Sequence, residues 1–433
     1  VTDLPTVEAP SYCGYRKLRL AYFVSHPIQY QAPMLRRIAR EPDIELKVFF
    51  SSDISVRKTG YTDQGFGVVV KWDTPLLEGY EYEFLPVLRD AARLGFARPI
   101  NYGISRRIRE QEFDAVWLHS YSTLTNLQAI GASNWLKIPA LLRTDSTLFD
   151  RPRSHMKLAV KKLFFDFLRP RISGLLSVGD ANTEYWRHYF GELIPIFPCH
   201  YAVDNQFFRR ECEMASLGRE EFRKSLELDA RRPVILFAAK LTPRKRCGDL
   251  VEAYLRLSES CNLQPAPYLL IVGDGELRSV LEEKARRARP GDIRFLGFRN
   301  QSELPKFYDL CSVFVLASVD EPWGLAINEV MNAGRAVIVT DQVGCQKNLV
   351  KHGVNGRVVR ARDVQDLAES LRVVLADEKT SEAMGLESLR IIQSFNFDQN
   401  VFGLRQALQA LVPGFPAAPG GMTERERPST EPH

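Results

Sequence analysis

Short apolar runs of strand length, separated by stretches with helical periodicity, recur from residue 18 to residue 340. Leu18-Arg-Leu-Ala-Tyr-Phe-Val24 is followed by Met34, Leu35 and Ile38 at helical spacing, then by Ile44-Glu-Leu-Lys-Val-Phe-Phe50. Strand, helix, strand is the order of a βαβ unit. The alternation predicts further strands at 114–118, 139–142, 174–178 and 194–197, with a helix over 123–136. A charged stretch, 205–232, intervenes before a second series at 234–239, 268–272, 293–296, 313–316 and 336–340. Helical patterns separate these too, for example 248–258 and 277–287. Such runs imply parallel sheets covered on both faces. The expectation is an α/β protein of two doubly wound, Rossmann-like domains facing across a cleft. One large mixed sheet is the alternative, and a polar insertion of that length is unusual within a single sheet.

The boundaries that follow are a loose extension at 1–16, a first domain at 17–204, an interdomain connection at 205–232 and a second domain at 233–395. A helix is expected over 396–412. The Pro- and Gly-rich tail, 413–433, has too little apolar content to fold. A chain of 433 residues suits two or three domains. An excess of only five positive charges, dispersed along the chain, does not argue for a nucleic-acid partner. Seven scattered cysteines without a Cys-x-x-Cys pair read as free thiols in a reducing compartment. No apolar run reaches the ~20 residues that span a bilayer, and residues 1–10 lack a signal-like pattern. A cytoplasmic protein is the expectation, with a peripheral membrane contact left open.

Four features could carry chemistry. The first is Glu321-Pro-Trp-Gly-Leu-Ala-Ile-Asn-Glu329, which begins just beyond a strand and enters a helix near Gly324. Ligands of open parallel sheets gather outside the carboxyl ends of the strands. Gly324 lets backbone approach a ligand, and carboxylates beside a helix N-terminus make good acceptors for sugar or ribose hydroxyls. Ordinary structural acids at a helix start are the competing reading. The second is Lys240-Leu-Thr-Pro-Arg-Lys245, basic and at a strand end, suited to a diphosphate leaving group or else a solvated turn. The third is Gly273-Asp-Gly275, which lacks the third glycine of a dinucleotide fingerprint and reads as a tight turn. The fourth is a pair of histidines at strand ends, His26 and His119. No Asp-x-Asp pair is present to hold a divalent ion on a diphosphate. Separately, 151–171 carries seven basic residues against Asp166, interleaved with Leu and Phe. A helix there is a candidate for an anionic lipid surface, or a half-buried helix with a basic edge.

Taken together, Ala239-Lys240-Leu241…Arg244-Lys245-Arg246, Gly273-Asp274-Gly275 and Glu321-Pro-Trp-Gly-Leu325…Glu329-Val-Met-Asn-Ala-Gly334 resemble, in order and spacing, the donor-domain motifs of the retaining GT-B glycosyltransferases of the family 4 group. The likeness covers about 233–359. It implies that Lys245 binds the donor diphosphate, with Lys240 in place of the family's arginine. It implies that Glu321 binds hydroxyls of the transferred sugar and Glu329 those of the ribose. Gly273, Gly324 and Leu325 join the donor-binding set, and His119 matches a histidine beside the transferred sugar. Lys245, Glu321 and His119 are thus the expected catalytic groups. The first domain departs from the family: Ser25-His-Pro-Ile-Gln-Tyr30 replaces a glycine-rich loop, and Arg143-Thr144-Asp145 replaces Val-His-Asp. Roles for His26, Arg143 and Asp145 therefore stay open. The resemblance also implies that the 397–411 helix returns to the first domain.

The implied activity is retaining, metal-independent transfer of a hexose-type sugar from a UDP- or GDP-sugar to a glycan, glycolipid or lipid-linked acceptor. No cofactor is expected, since the nucleotide sugar is a substrate. The alternatives are a sugar-nucleotide epimerase or phosphorylase of the same architecture, and a non-catalytic sugar-nucleotide sensor.

Overall fold

The computed structural model describes residues 16–57, 61–63, 68–70, 72–91, 93–149, 155–259 and 265–416. The extension up to residue 15, most of the expected tail and the start of the 151–171 segment lie outside the described residues, as do Cys13 and Cys261. In chain order the strands are β1 (Leu18–Val24), β2 (Ile44–Phe50), β3 (Tyr61–Asp63), β4 (Val68–Val70), β5 (Glu81–Phe84), β6 (Val87–Arg89), β7 (Ile100–Asn101), β8 (Ala115–His119), β9 (Ala140–Thr144), β10 (Gly174–Ser177) and β11 (Ile196–Pro198). They continue with β12 (Val234–Ala238), β13 (Tyr268–Val272), β14 (Ile293–Gly297), β15 (Val313–Leu316), β16 (Ala336–Thr340) and β17 (Gly356–Val359).

Two all-parallel sheets carry the fold. The first has seven strands in the order β11-β10-β9-β8-β1-β2-β5, the second six in the order β14-β13-β12-β15-β16-β17. The alternation of strand and helix seen along the chain is therefore two doubly wound domains and not one mixed sheet. β3–β4 and β6–β7 are small antiparallel pairs beside the first sheet. Strands β5 and β17, which complete an edge of each sheet, are too short and polar or glycine-containing to stand out from periodicity. Helices on both faces make the central strands apolar throughout. β16 is buried at every position from Ala336 to Thr340, and β13 likewise from Tyr268 to Val272.

Each sheet has one place where its strand order reverses direction. In the first, β1 lies between β8 and β2. In the second, β12 lies between β13 and β15, with Ile235 opposite Val313 and Leu236 opposite Phe314. The loops leaving such neighbouring strands diverge to opposite faces and leave a crevice at their carboxyl ends. The loops in question start at Ser25 and Ser120 in one sheet, and at Ala239 and Ala317 in the other.

The 205–232 stretch, expected as an interdomain connection, folds as two helices, Asn205–Leu217 and Arg219–Ser225. Phe208, Cys212 and Leu228 join the core under the second sheet, and Arg219 forms two hydrogen bonds with the buried Asp309. Charge density hid the one apolar stripe that such helices need. The helix Phe397–Leu411 packs against β10 and β11, placing Val401, Leu404, Ala407 and Leu408 in the core of the first sheet. Arg405 is buried there between Asp43, at 2.7 Å, and Glu41, at 3.0 Å. A Cβ on Gly403 would meet the Pro198 carbonyl oxygen at 1.6 Å, so this helix seats only with glycine at that turn. Gly403→Ala is accordingly expected to lift it from β11 and cost about 1–3 kcal/mol. A denaturant melt of the variant should show an earlier midpoint at unchanged slope.

Candidate active site

The lysine loop is laid over glycines. After β12 the chain crosses the end of β13, where Ala239 N–H donates to the Val272 carbonyl at 3.1 Å and Leu241 N–H to that of Asp274 at 2.9 Å. Gly273 has φ +134°, and a Cβ there would lie 2.0 Å from the Ala239 carbonyl oxygen. Gly273 therefore acts from beneath: it lets one loop rest on another, as Gly275 does under Leu241. Pro243–Lys245 forms one 3₁₀ turn that brings Lys245 over to the neighbouring strand's loop. Lys240 lies half-buried where the loop leaves β12.

The acidic loop is held from its other side. Glu321 N–H donates to the Gln342 carbonyl at 3.0 Å, and Gly344 N–H donates back to the Glu321 carbonyl at 2.9 Å. A Cβ on Gly344 would sit 1.9 Å from the Pro322 oxygen. Gly324, with φ +99°, turns the chain into the short helix Leu325–Met331. Trp323 is buried, and its indole donates to Asn328 at 2.8 Å. Asn328 in turn donates to the Tyr201 carbonyl at 3.2 Å. The indole lies so close to Gly179 at the end of β10 that a Cβ there would be 2.3 Å from it. One residue thus braces the acidic loop against the other sheet.

The two loops meet in an ion pair. Lys245 Nζ is 2.5 Å from Glu321 Oε2, with side chains 14% and 9% exposed, and Arg244 Nη2 is 3.9 Å from the same oxygen. Backbone bonds seal the contact, since Val319 N–H donates to the Arg244 carbonyl and Arg244 Nη1 to that of Asp320. Burial pushes the Glu321 carboxyl up, but Lys245 and Arg244 outweigh it and hold the group below the usual carboxylate range. Glu321 is ionised at neutral pH.

Glu329 has the opposite environment. Burial raises its carboxyl to about 7, opposed by the Tyr308 hydroxyl, which donates to Oε2 at 2.6 Å. Two carboxylates eight residues apart thus shift in opposite directions, because cations outweigh the burial of Glu321 while the Tyr308 hydrogen bond only partly offsets that of Glu329.

From the first sheet, His119 ends β8. Its Nε2 accepts from the Gln31 amide at 2.9 Å, and the Gln31 oxygen accepts from Tyr22 at 2.9 Å. That chain puts the proton on Nδ1, which is buried without a partner. Burial, followed by the charges of Arg143 and His26, lowers His119 to about 3, so the ring is neutral. Burial likewise lowers His26 to about 4, and its Nδ1 lies 2.8 Å from Ser25 Oγ. Asp145, at the end of β9, is raised by burial and by the charge of Glu321, against the pull of Arg143 and Arg244. Arg143 is committed internally: it donates to the Cys199 carbonyl at 2.7 Å and to Asn400 at 3.3 Å, and lies 4.7 Å from the Tyr201 ring centre.

The structure thus gathers Lys245, Arg244 and Glu321 in direct contact, with Asp145 within reach of their charge. Gln31, Tyr308, Asn328 and Gly344 position the site but carry no sequence signal of their own. Each acts through a partner distant along the chain. Among the described residues no group of three or more His, Cys, Asp or Glu is placed to share a metal ion. Cys199, Cys212, Cys247, Cys311 and Cys345 are free and buried.

Residues 218–388 match the family model described as glycosyl transferases group 1. The GDP-mannose-dependent alpha-(1-6)-phosphatidylinositol monomannoside mannosyltransferase of Mycobacterium tuberculosis is 30% identical over 304 residues, covering 66% of this chain and 73% of that one. The N,N'-diacetylbacillosaminyl-diphospho-undecaprenol alpha-1,3-N-acetylgalactosaminyltransferase of Campylobacter jejuni is 25% identical over 300 residues, 67% of this chain and 75% of that one. An uncharacterized glycosyltransferase of Methanocaldococcus jannaschii is 34% identical over 157 residues, and there the match spans only 36% of this chain and 39% of the relative. In fold, the chain resembles Anabaena HepE, solved with UDP and glucose, at TM-score 0.65 and 17% identity over 91% of this chain and 100% of that one. It also resembles a glycosyltransferase from Rickettsia africae at TM-score 0.69 and 12% identity, over 92% and 100%. Motifs, two-sheet architecture and relatives converge: the chain belongs to the group 1 glycosyl transferases, in the GT-B fold.

Proposed function

We propose that the protein transfers a hexose-type sugar from a UDP- or GDP-sugar to an acceptor hydroxyl, with retention of configuration and without a metal ion. The observation that carries this reading is the buried Lys245–Glu321 pair at the reversal point of the second sheet. A nucleoside diphosphate leaves with added negative charge, and cations fixed in a partly dry crevice stabilise it without reorganising. Lys245, Arg244 and Lys240 are the cations of this loop, and Leu325 and Gly324 offer backbone N–H groups at the mouth. Glu321, already ionised, accepts hydroxyls of the transferred sugar, and Glu329 those of the ribose.

In the reaction the bond between the anomeric carbon and the diphosphate oxygen breaks while the acceptor oxygen bonds to that carbon from the same face. The acceptor proton passes to the departing phosphate oxygen. His119 is neutral, so it donates a hydrogen bond and supplies neither positive charge nor a readily titrated acid. The relatives named for phosphatidylinositol monomannoside and for a diphospho-undecaprenol glycan support an acceptor carried on a lipid.

Two outcomes test the reading. Glu321→Gln and Lys245→Met are each expected to lower kcat with a suitable nucleotide sugar and acceptor by on the order of 10²-fold or more. Circular dichroism should show both variants folded. Full activity in both sinks the proposal, and conversion of donor without acceptor identifies an epimerase instead.

The second outcome concerns Glu329. Its carboxyl titrates at about 7 in the fold against 4.5 in an unfolded chain, so the folded state holds the extra proton between those values. Stability from this group is therefore complete below pH 4.5 and is lost as pH rises through about 7. Glu329→Gln is expected to melt later than wild type at pH 8 and alike at pH 4.5. It should also bind nucleoside diphosphates roughly ten- to hundredfold more weakly, for want of a charge-assisted acceptor. Thermal-shift titrations across pH measure both effects.

A further inference from the structure

The helix His155–Leu168, between β9 and β10, faces two ways. Its inner side is set by Phe165 and Leu168, both 1% exposed, and by Lys161, whose ammonium lies over the rings of Tyr185 and Tyr189 at 4.7 and 4.4 Å. On the opposite side Met156, Val160, Leu163 and Phe167 are 74, 63, 70 and 58% exposed. Their spacing (i, i+4, i+7, i+11) aligns them in one stripe pointing away from the protein. Four large apolar side chains in a continuous exposed row are not the scatter expected on an ordinary surface. Lys157 and Lys162 are exposed and flank the stripe, and the Arg171 guanidinium lies 3.8 Å from the Phe167 ring centre at its end. The single acid, Asp166, is paired with Arg169 at 2.6 Å.

We infer that this outer stripe inserts into the interfacial region of an anionic lipid bilayer, with Lys157, Lys162 and Arg171 at headgroup level. An apolar row edged by cations suits a surface that is oily inside and negative outside. Charge complementarity selects lipid over a second copy of the chain, since two copies would bring identical rows of cations together. Among the described residues no helix is long and apolar enough to cross a membrane, so the contact is a surface one. It also has a route to the site. Phe164 and Phe165 pack on Tyr121 with ring centres 5.8 and 5.2 Å away, and Tyr121 follows His119 by two positions. A bilayer seated on this helix lies beside the first-sheet side of the cleft. That consequence rests on the proposed transfer reaction, whereas the lipid contact does not.

The test is sedimentation of the full chain with vesicles of phosphatidylcholine mixed with phosphatidylglycerol, and of phosphatidylcholine alone. Wild type is expected to sediment with the mixed vesicles and less so at high salt. Leu163→Asp with Phe167→Asp should abolish sedimentation at unchanged melting temperature. Lys157→Gln and Lys162→Gln should each weaken partitioning about fivefold. Lys161 is left intact because it packs inward. Three results would overturn the inference: no vesicle binding by wild type, equal binding by the aspartate variant, or a wild-type dimer that the aspartate variant converts to monomer. None of these requires turnover, so failure here is separable from failure of the transferase reading.

Discussion

The buried ion pair between Lys245 and Glu321 is the contact on which the site depends. Two charges in a dry crevice are costly unless each answers the other, and here the pair also fixes two loops that come from adjacent strands. Each loop is supported from outside: one rests on Gly273 and Gly275, the other on Gly344. These glycines matter for close approach of backbones, so the cations of the lysine loop are positioned by steric absence as much as by attraction. The result is a cationic and anionic pair held ready before any ligand arrives, which is what preorganised stabilisation requires.

The same loop governs how the two sheets face one another. Trp323, next but one to Glu321, lies against Gly179 and, through Asn328, engages Tyr201. On the far side the Phe397–Leu411 helix is locked to the first sheet by Arg405 and linked to Arg143 by Asn400. The two halves are thus joined on one side through Trp323 and on the other through the Phe397–Leu411 helix. Apolar side chains join them as well, for Val178, Tyr201 and Val203 share one core cluster with Trp323 and Val343.

Electrostatic environment, more than residue type, sorts the ionisable groups into roles. Glu321 stays charged beside two cations, Glu329 titrates near neutrality under a tyrosine, and His119 stays neutral on the end of an amide relay. Groups whose environments push them apart in this way are typical of working sites. Arg143 is the counter-example: charged, buried and close by, yet occupied with backbone carbonyls and an aromatic ring.

Sequence alone determined the fold class and marked the two loops that meet in the Lys245–Glu321 pair. Apolar runs in βα alternation are local, and Lys240, Lys245, Glu321 and Gly324 lie at strand ends that the same alternation exposes. It also marked the basic apolar helix after β9, because 3.6-residue periodicity shows a stripe without showing what covers it. It set 205–232 between the two series of strands without showing that these residues fold as helices with a thin apolar edge. It marked Gly273 as a turn glycine without showing that the same residue also admits the backbone of Ala239. Which way each face points, which acid is ionised, and which tautomer His119 holds were decided only by the tertiary structure. Burial and charge are sums over neighbours distant in sequence, and no window along the chain contains them. Tyr308 lies twenty-one residues from Glu329, and Gln31 eighty-eight from His119.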